Sequence, residues 1–256
     1  MKGSPSVIRD NQTLSTCYQQ LKQNDIICGR IRLKPGEEHI LTDLLERGIR
    51  LIPSATSQLA SRSKTFQARI FGDFMLPDTL PIYDGHALLS ATSIYQQKQY
   101  SRVILKFDRK NAGLGIHTFN DIEELYNYVS IGSLSFPFVI QPYQVKCRDI
   151  RVIILGDYIE AYERINPYNL RNNLHCGGKS TPYELPEQEL KFCRKVMQRG
   201  NFPYAHLDLI LSPNGDCHLM EINLRGGLRG AILSGNDYQE KLEMMHESLL
   251  EKLNAF

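Results

Sequence analysis

The chain lacks most of the signals that would settle its class quickly. No run of about 18 apolar residues occurs, the length a membrane-spanning helix needs, so no transmembrane segment and no membrane partner are expected. The first residues, MKGSPSVIRDNQT, lack the apolar stretch of a secretory leader. Net charge is only +2, too small to favour a nucleic-acid surface or an anionic membrane, and no basic cluster interleaved with aromatics is present. None of the six cysteines (Cys17, Cys28, Cys147, Cys176, Cys193, Cys217) sits in a C-x-x-C pair. They scatter among apolar neighbours, which points to reduced, buried thiols in a cytoplasmic protein. The histidines form no H-E-x-x-H and pair with no cysteine, which argues against zinc. No Ser-His-Asp or Cys-His pattern suggests a covalent nucleophile.

What is present is ordinary in bulk: 256 residues, 42% hydrophobic and 23% charged, enough for one large domain or two small ones. The pattern becomes informative after the polar first ~25 residues, which hold one weak helical stretch, LSTCYQQLKQ. IICGRIRL, PGEEHILTDLLERG and IRLIPS read as strand, helix and strand, a small parallel β-α-β unit. SATSQLASRSKTFQARIFGDF reads as a helix to about Phe71. LPDTLPIYDG is extended and Pro-punctuated, a reasonable seam. Helix (HALLSATSIYQQKQY), strand (SRVILKF), polar loop (DRKNAGLG), a helix capped at Asn120 or Asp121, and strand (FPFVIQPYQ) follow. DIRVIILGDYIEAYERI is a hairpin turning at Gly156-Asp157. PEQELKFCRKVMQRG is an amphipathic helix ending at Gly200, and a helix with Leu242, Met245, Leu249 and Leu253 at core spacing closes the chain.

The segment HLDLILSPNGDCHLMEIN, His206 to Asn223, poses a physical problem. Asn214-Gly215 is a strong two-residue hairpin signal, since a type I′ turn needs positive φ at both positions. That register sets Asp208 opposite Glu221 and His206 opposite Asn223. Directly opposed like charges cost a sheet about 0.2–1 kcal/mol. Alternation puts Glu221 and Asn223 on one face and Met220, Ile222 and Leu224 on the other. Asp208, Glu221 and Asn223 then form an all-oxygen cluster, which suits Mg²⁺ or Mn²⁺. A solvated polar face would look the same in sequence, and spacing alone leaves both open.

Three further segments are ambiguous taken singly. In VILKFDRKNAGLGI, Lys106 closes an apolar strand before a loop holding Gly113 and Gly115, which fits a phosphate-covering loop or a plain structural one. NLRNNLHCGG offers Arg171, Asn172 and Asn173 to an anion, or is a polar loop with a structural His175. In KCRDIRVIILGDYIEAYERI, Asp149 faces Arg164 and Arg151 faces Tyr162, a pairing that is commonly structural.

Their order is more specific than any one of them. A lysine strand and glycine loop, an apolar strand, a D-I-R hairpin, an R-N-N loop, then Asp and Glu-x-Asn on a hairpin resemble the ATP-grasp superfamily, and within it the RimK-type α-L-glutamate ligase-like group. The resemblance runs from about Gly48 to Gly230, and N-L-R-N-N-L-H-C-G-G and M-E-I-N carry it most strongly. It implies an α/β (α+β) ATP-grasp fold, two α+β subdomains clamping ATP. Residues 1–56 would be a shortened N-terminal α/β region. Residues 57–256 would be the ATP-grasp domain, with a small lid at about 80–144 and a large subdomain at about 145–256. Lys64 and Lys106 would reach ATP phosphates under the loop of Gly113 and Gly115. Gln141, Pro142, Tyr143 and Gln144 would form the hinge whose backbone holds adenine. Asp149 would be the ribose-side acid, with Asn172 also at the nucleotide. Arg151, Arg171 and Asn173 would face the transferred phosphoryl group. Asp208, Glu221 and Asn223 would hold two Mg²⁺, with Mn²⁺ as the alternative.

The implied reaction is ATP-dependent joining of a carboxylate to an amine through an acyl phosphate. One substrate would be an amino acid; the other partner would be a small molecule, peptide or protein terminus. Three departures matter. The N-terminal region is short, which leaves the substrate-contacting part and any homo-oligomer interface open. Lys110 replaces the loop's usual first glycine. LRGGLRG follows Asn223 where the group has a small-residue turn, so Arg225 is expected to contact an acidic substrate group. The rivals are a kinase that stops at phosphorylation, a non-catalytic or regulatory ATP-binding module, and a nucleic-acid binder.

Overall fold

The computed structural model describes residues 5–110, 114–132, 134–167, 174 and 177–254. Within them the chain forms three β-sheets, each with its own apolar core. The first contains β1 (Val7–Ile8), α1 (Asn11–Cys17), β2 (Ile26–Cys28), α2 (His39–Glu46) and β3 (Arg50–Ile52), with strands in the order β1-β2-β3, all parallel. Parallel neighbours need crossovers, and α1 and α2 fall in them. The unit is thus β-α-β-α-β, one strand more than the sequence pattern shows; the weak helical stretch LSTCYQQLKQ overlaps α1, which starts earlier, at Asn11, and ends at Cys17. Val7–Ile8 is too short to stand out from its polar surroundings. Asp10 caps α1 by accepting from Gln12 and Thr13 N–H.

The helix expected up to Phe71 is two helices, α3 (Ala55–Ala60) and α4 (Lys64–Ile70). The break is local chemistry. Ser63 is extended and its Oγ accepts from Phe66 N–H, so a new cap starts where the helix would have continued. Lys64 consequently opens α4 instead of sitting mid-helix.

The second sheet is built from β4 (Leu80–Ile82), β5 (Val103–Phe107), β6 (Ile116–Phe119) and β7 (Phe138–Pro142), antiparallel in the order β4-β7-β5-β6. The Pro-punctuated stretch taken as a seam supplies its edge strand, β4. Helices α5 (Gly85–Gln97) and α6 (Ile122–Ser130) are capped by Asp84 and Asp121. Leu88, Tyr95, Leu125 and Val129 from these helices bury against Val103, Leu105, Phe138 and Ile140. Strand alternation then sends Lys106 to the opposite face, away from the helices.

The third sheet contains β8 (Arg148–Leu155), β9 (Tyr158–Ile165), β10 (Lys179–Pro182), β11 (Tyr204–Leu211) and β12 (Cys217–Asn223), antiparallel in the order β10-β9-β8-β11-β12. Helix α7 (Glu187–Arg199) contributes Cys193, Val196 and Met197 to its core. Helix α8 (Gly235–Asn254) serves two cores. Its Tyr238, Leu242 and Met245 join the large one, while Leu249, Leu250 and Leu253 lie on Ile26, Cys28 and Ile52 of the N-terminal sheet.

The β11–β12 hairpin departs from expectation twice, and the departures cancel. Ser212 and Gly215, with Asp216, close a three-residue loop: Ser212 N–H donates to Asp216 O (2.9 Å) and Gly215 N–H to Ser212 O (2.9 Å). Gly215 sits at φ +90°, as such a loop requires. Near the turn the pairing is therefore one residue off, with Leu209 opposite Leu219. A bulge between Asp208 and Leu209 absorbs Met220, and beyond it Asp208 faces Glu221 and His206 faces Asn223. Met220 also leaves the apolar face assigned to it: it is half-buried and takes a contact from Gln141 Nε2 to its sulfur (3.5 Å).

One side chain pins the acidic end of β12. Gln67 of α4 is buried; its Nε2 donates to Ala60 O (2.7 Å) and Ile222 O (2.9 Å), and its Oε1 accepts from Ile222 N–H (3.0 Å). Gln67→Leu leaves those backbone groups unpaired in the interior. At about 1–3 kcal/mol per orphaned group, a loss of roughly 3 kcal/mol in urea unfolding is the expected outcome; a loss below about 1 kcal/mol would show that Gln67 is not the strand's anchor.

Candidate active site

Four strands of the third sheet set one row of side chains in register: Tyr162 on β9, Arg151 on β8, Asp208 on β11 and Glu221 on β12. The next row carries Arg164 and Asp149. Asp149 opposite Arg164 and Arg151 opposite Tyr162 are the pairings expected from the Gly156-Asp157 turn. The opposed carboxylates are offset by guanidinium groups. Arg151 grips Asp208 in a fork, Nε to Oδ1 and a terminal nitrogen to Oδ2 at 3.0 Å. Arg164 lies between the two aspartates, with Nε at 2.9 Å from Asp149 Oδ1 and a terminal nitrogen 3.2 Å from Asp208 Oδ1. The sequence shows Arg164 only as a local cross-strand partner; its reach to Asp208 two strands away is visible only once the sheet is assembled.

The charges follow from this geometry. Burial pushes the Asp208 carboxyl up, but Arg151 and Arg164 outweigh it and hold the group near 2. Burial raises Asp149, and the neighbouring Asp208 charge works in the same direction against Arg164. His206, one row further along and nearly inaccessible, is driven down to about 3 by burial and by the Arg151 charge, so its ring stays neutral. Its Nε2 meets Tyr238 Oη at 3.2 Å. Gly226 covers it: a Cβ there would stand 2.6 Å from His206 Nδ1 and 2.7 Å from a terminal nitrogen of Arg151. Only glycine lets the chain pass that close.

Both lysines reach this face from outside the sheet. Lys64, at the start of α4, donates to Glu221 Oε1 (3.2 Å) and to Lys110 O (2.8 Å). Lys106 descends from β5 and is buried, within reach of the charges on Glu221, Lys64, Asp208 and Asp149. Besides that Lys110 contact, the loop after Lys106 is tied down at three further points among the described residues. Asp108 Oδ1 accepts from Thr65 N–H (3.1 Å), Arg109 pairs with Glu38 of the N-terminal unit, and Phe107 N–H donates to Gly115 O (2.8 Å). A Cβ on Gly115 would come within 2.5 Å of Lys110 Cβ, so glycine permits the loop's tight return. The Glu38–Arg109 link had no signal in the sequence.

The remaining expected residues divide into three groups. Gln141 is buried at the end of β7, Pro142 closes the strand, and Tyr143 and Gln144 lead out toward β8. The Tyr143 N–H is committed to Arg102 O at 3.0 Å, so that donor is not free for a ring edge. Arg225 is exposed two residues beyond Asn223, and the segment between them is fastened by Leu224 N–H donating to Ser61 Oγ (2.9 Å). Gly113, Arg171, Asn172, Asn173 and His175 lie outside the described residues. Among those described, no three His, Cys, Asp or Glu side chains converge on a cation position. A divalent ion here would draw its third protein ligand from the Asn223 carboxamide. Two carboxylates and an amide are hard oxygen donors, which is the chemistry Mg²⁺ prefers, and the set fits that ion.

A lysine-bearing antiparallel lid set against a sheet that displays this row is the ATP-grasp arrangement of two α+β subdomains. Residues 87–244, more than half of the chain, match the RimK-like ATP-grasp domain, and the chain belongs to that family. It is similar to a glutathione synthetase of Agrobacterium fabrum, 29% identical over 132 residues that cover 48% of this chain and 40% of that one. It is also similar to a probable alpha-L-glutamate ligase 2 of Shewanella frigidimarina, 26% identical over 159 residues, 60% and 48% of the two chains. The chain thus spans about half the length, or less, of these relatives. Among solved structures it resembles the D-alanine-D-alanine ligase of Coxiella burnetii, with a TM-score of 0.62, 14% identity, and coverage of 91% and 71%. A RiPP-associated ATP-grasp ligase of Chryseobacterium gregarium gives a TM-score of 0.58, 17% identity, and coverage of 84% and 67%. At these identities the likeness is one of fold.

Burial pulls the Lys106 ammonium from the ordinary 10.5 to about 8, with Glu221 only partly opposing it. Between those values the unfolded chain holds a proton that the native one has released, so stability rises with pH through this group. Lys106→Met is therefore expected to be more stable than wild type near neutral pH, with the gap closing as pH rises through about 8 toward 10.5 in parallel urea titrations. A gap that stays constant over that range would rule out a buried, charged Lys106.

Proposed function

We propose that the chain is an ATP-dependent carboxylate–amine ligase. The observation that carries this reading is the row itself: two opposed carboxylates, a carboxamide beside them, and lysines from two other elements converging on the same face. Members of the superfamily generally join a carboxylate to an amine through an acyl phosphate. In that chemistry the γ-phosphoryl group of ATP passes to a carboxylate oxygen, giving an acyl phosphate and ADP. An amine nitrogen then attacks the acyl carbon, the bond to phosphate breaks, and the nitrogen loses a proton to leave an amide and inorganic phosphate. Such a transfer needs positioning and charge neutralisation more than a protein nucleophile.

This chain's residues supply those two things. Lys64 and Lys106 put positive charge where a triphosphate would lie, and Arg151, locked by Asp208, points a further guanidinium nitrogen toward Gly226. Arg171 and Asn173 are assigned to the same transfer by motif alone. Asp208, Glu221 and Asn223 would hold Mg²⁺, which would neutralise phosphate charge when bound. Gln141 to Gln144 lie where the lid joins the large sheet, the place expected for adenine. The amine or carboxylate partner is an amino acid in this reading, as the names of the glutathione synthetase and glutamate ligase relatives suggest. A cytoplasmic setting goes with it, since ATP and Mg²⁺ are supplied there.

The second reading is a nucleotide-binding module without ligation. Thermal unfolding with ATP, with and without Mg²⁺, separates the possibilities. A ligand at about 100 times its dissociation constant adds about 2.7 kcal/mol to native stability. Wild type is expected to shift upward with Mg-ATP and Glu221→Ala to lose most of the shift. No shift with any nucleotide sinks both readings. A shift with no ADP release from any carboxylate and amine offered together leaves the binding module.

A further inference from the structure

The ligation chemistry gives no part to His206, yet its ring sits on the working face of the large sheet. It is 1% exposed, lies opposite Asn223 across the hairpin, and stands two residues before Asp208 on the same face. Its two nitrogens are unequally used. Nε2 meets Tyr238 Oη at 3.2 Å, and the Tyr238 hydroxyl donates its single proton to Leu224 O at 3.4 Å. Nε2 therefore supplies the proton of the shared contact, and the neutral ring keeps a lone pair on Nδ1. A second proton on Nδ1 would face the Arg151 guanidinium. Among the described residues Nδ1 is buried and has no hydrogen-bond partner. A buried acceptor left unpaired is unfavourable, and it marks a place where a donor is missing.

Nδ1 and a terminal nitrogen of Arg151 converge on one point. The Cβ that Gly226 lacks would stand 2.6 Å from Nδ1 and 2.7 Å from that guanidinium nitrogen, which puts both at hydrogen-bond range of the same position. The other two nitrogens of Arg151 are bound to Asp208, so this one is free to donate. A lone pair and a charged donor aimed at one point match a group that carries an N–H and an anionic oxygen on a single carbon. Gly226 stands in front of that point and is lightly held. Leu224 is fastened through its N–H to Ser61 Oγ (2.9 Å) and through its carbonyl to Tyr238, and Arg229 O accepts from Tyr162 Oη (3.3 Å). Between these anchors the backbone of Arg225, Gly226 and Gly227 makes no hydrogen bond among the described residues. Behind this strap, between the N-terminal unit and α8, lies a cavity of about 380 Å³ whose wall includes Arg30, Tyr204, Arg225, Gly227 and Tyr238. The strap has room to draw back into it with no backbone hydrogen bond to break.

Resting on the ligase reading, we propose that His206 holds the attacking amine: with the Gly226–Gly227 strap drawn back, Nδ1 accepts an N–H of the amine while Arg151 donates to the acyl oxygen. The nitrogen lone pair forms the bond to the acyl carbon, and the carbonyl pair moves onto the oxygen that faces Arg151. That pair then returns, the bond to phosphate breaks, and the departing phosphate takes the proton that the nitrogen releases. The ring stays neutral throughout. It acts by aligning the nitrogen and by stabilising the positive charge that builds on it.

The test uses the full chain with Mg-ATP, each of the common amino acids as the carboxylate and hydroxylamine as the amine, read as hydroxamate and as ADP. Two variants separate the ring nitrogens. His206→Asn sets a side-chain oxygen where Nδ1 was but does not reach Tyr238. His206→Gln reaches Tyr238 but has no acceptor at the Nδ1 position. His206→Gln is expected to raise the KM for hydroxylamine by at least about tenfold, the loss of one hydrogen bond in a closed site. The KM values for ATP and the amino acid should stay unchanged, and ADP should appear without hydroxamate. His206→Asn should recover part of the loss. A purely structural role gives the reverse order, because Gln keeps the Tyr238 contact and Asn does not. That reverse order, variants that behave as wild type, or equal rises in all three KM values overturn the proposal. Should neither variant keep the Mg-ATP melting shift, ¹⁵N-histidine spectra of wild type decide: the His206 Nδ1 resonance has to move when amino acid and hydroxylamine join Mg-ATP, and a resonance that stays put overturns the proposal. Absence of ADP release by wild type with every amino acid strikes the ligase reading, and the proposal with it.

Discussion

The pairing of Asp208 with Glu221 across β11 and β12 is the constraint around which the large sheet is arranged. Like charges set directly opposite each other destabilise a sheet, and burying them adds a desolvation cost that ion pairing only partly returns. The described residues answer with four cations, Arg151, Arg164, Lys64 and Lys106, around three carboxylates, Asp149, Asp208 and Glu221. A network evolved for stability alone would close at neutrality, or would be apolar. This one is left with an excess positive charge and with its most buried cation, Lys106, held below its ordinary affinity for a proton. Both features favour the arrival of an anion, which would restore charge balance and stabilise the lysine in its charged form.

The scaffold separates what must be fixed from what must approach. Arg151, Asp208 and Glu221 sit on adjacent strands whose other faces are filled by the large core, so their mutual geometry is set by the ladder. Lys106 belongs to a second sheet with a core of its own. The two bodies meet through polar links, Gln141 on Met220, Asp108 on Thr65 and Lys64 on Lys110, and through an apolar one, since Val139 of β7 is buried in the large core with Ala68 of α4 and Phe71. The apolar part of the seam holds the lysine-bearing sheet against the sheet that carries the carboxylates.

How much of this was legible in the sequence depends on the range of the interaction. Local signals held: a cap at Asn120 or Asp121, which is Asp121, Gly156-Asp157 as a turn, and the two hairpin registers at the site. The second register came out right because a longer loop and the Met220 bulge shift the pairing in opposite directions. Neither had a signature strong enough to predict, and the bulge is what moves Met220 off the core face. The break before Lys64 was hidden because Ser61 to Ser63 read equally well as helix interior and as cap. Features that depend on assembly left no trace at all. Arg164 reaching Asp208, Gln67 closing the edge of β12 and Arg109 meeting Glu38 each join residues distant in sequence or set two strands apart. The motif-based roles of Gly113, Arg171, Asn172 and Asn173 fall outside the described residues and stand on resemblance alone.

The short N-terminal unit takes its meaning from α8. A β-α-β-α-β sheet of two- and three-residue strands has little core to hold itself in place. Leu249, Leu250 and Leu253 anchor it to the helix that also carries Tyr238 and Leu242 into the large core. Glu38 reaches the loop after Lys106, and Arg30 reaches the cavity beside Arg225. The unit thus touches the lid loop on one side and the cavity on the other, although it lies outside the matched domain of residues 87–244. Chemistry common to a fold family resides in the conserved scaffold, whereas specificity is grafted on by the elements around it. The row of carboxylates and cations lies on elements within the matched residues except for Lys64, whereas the first sheet lies outside them and is held to the rest through the second half of α8.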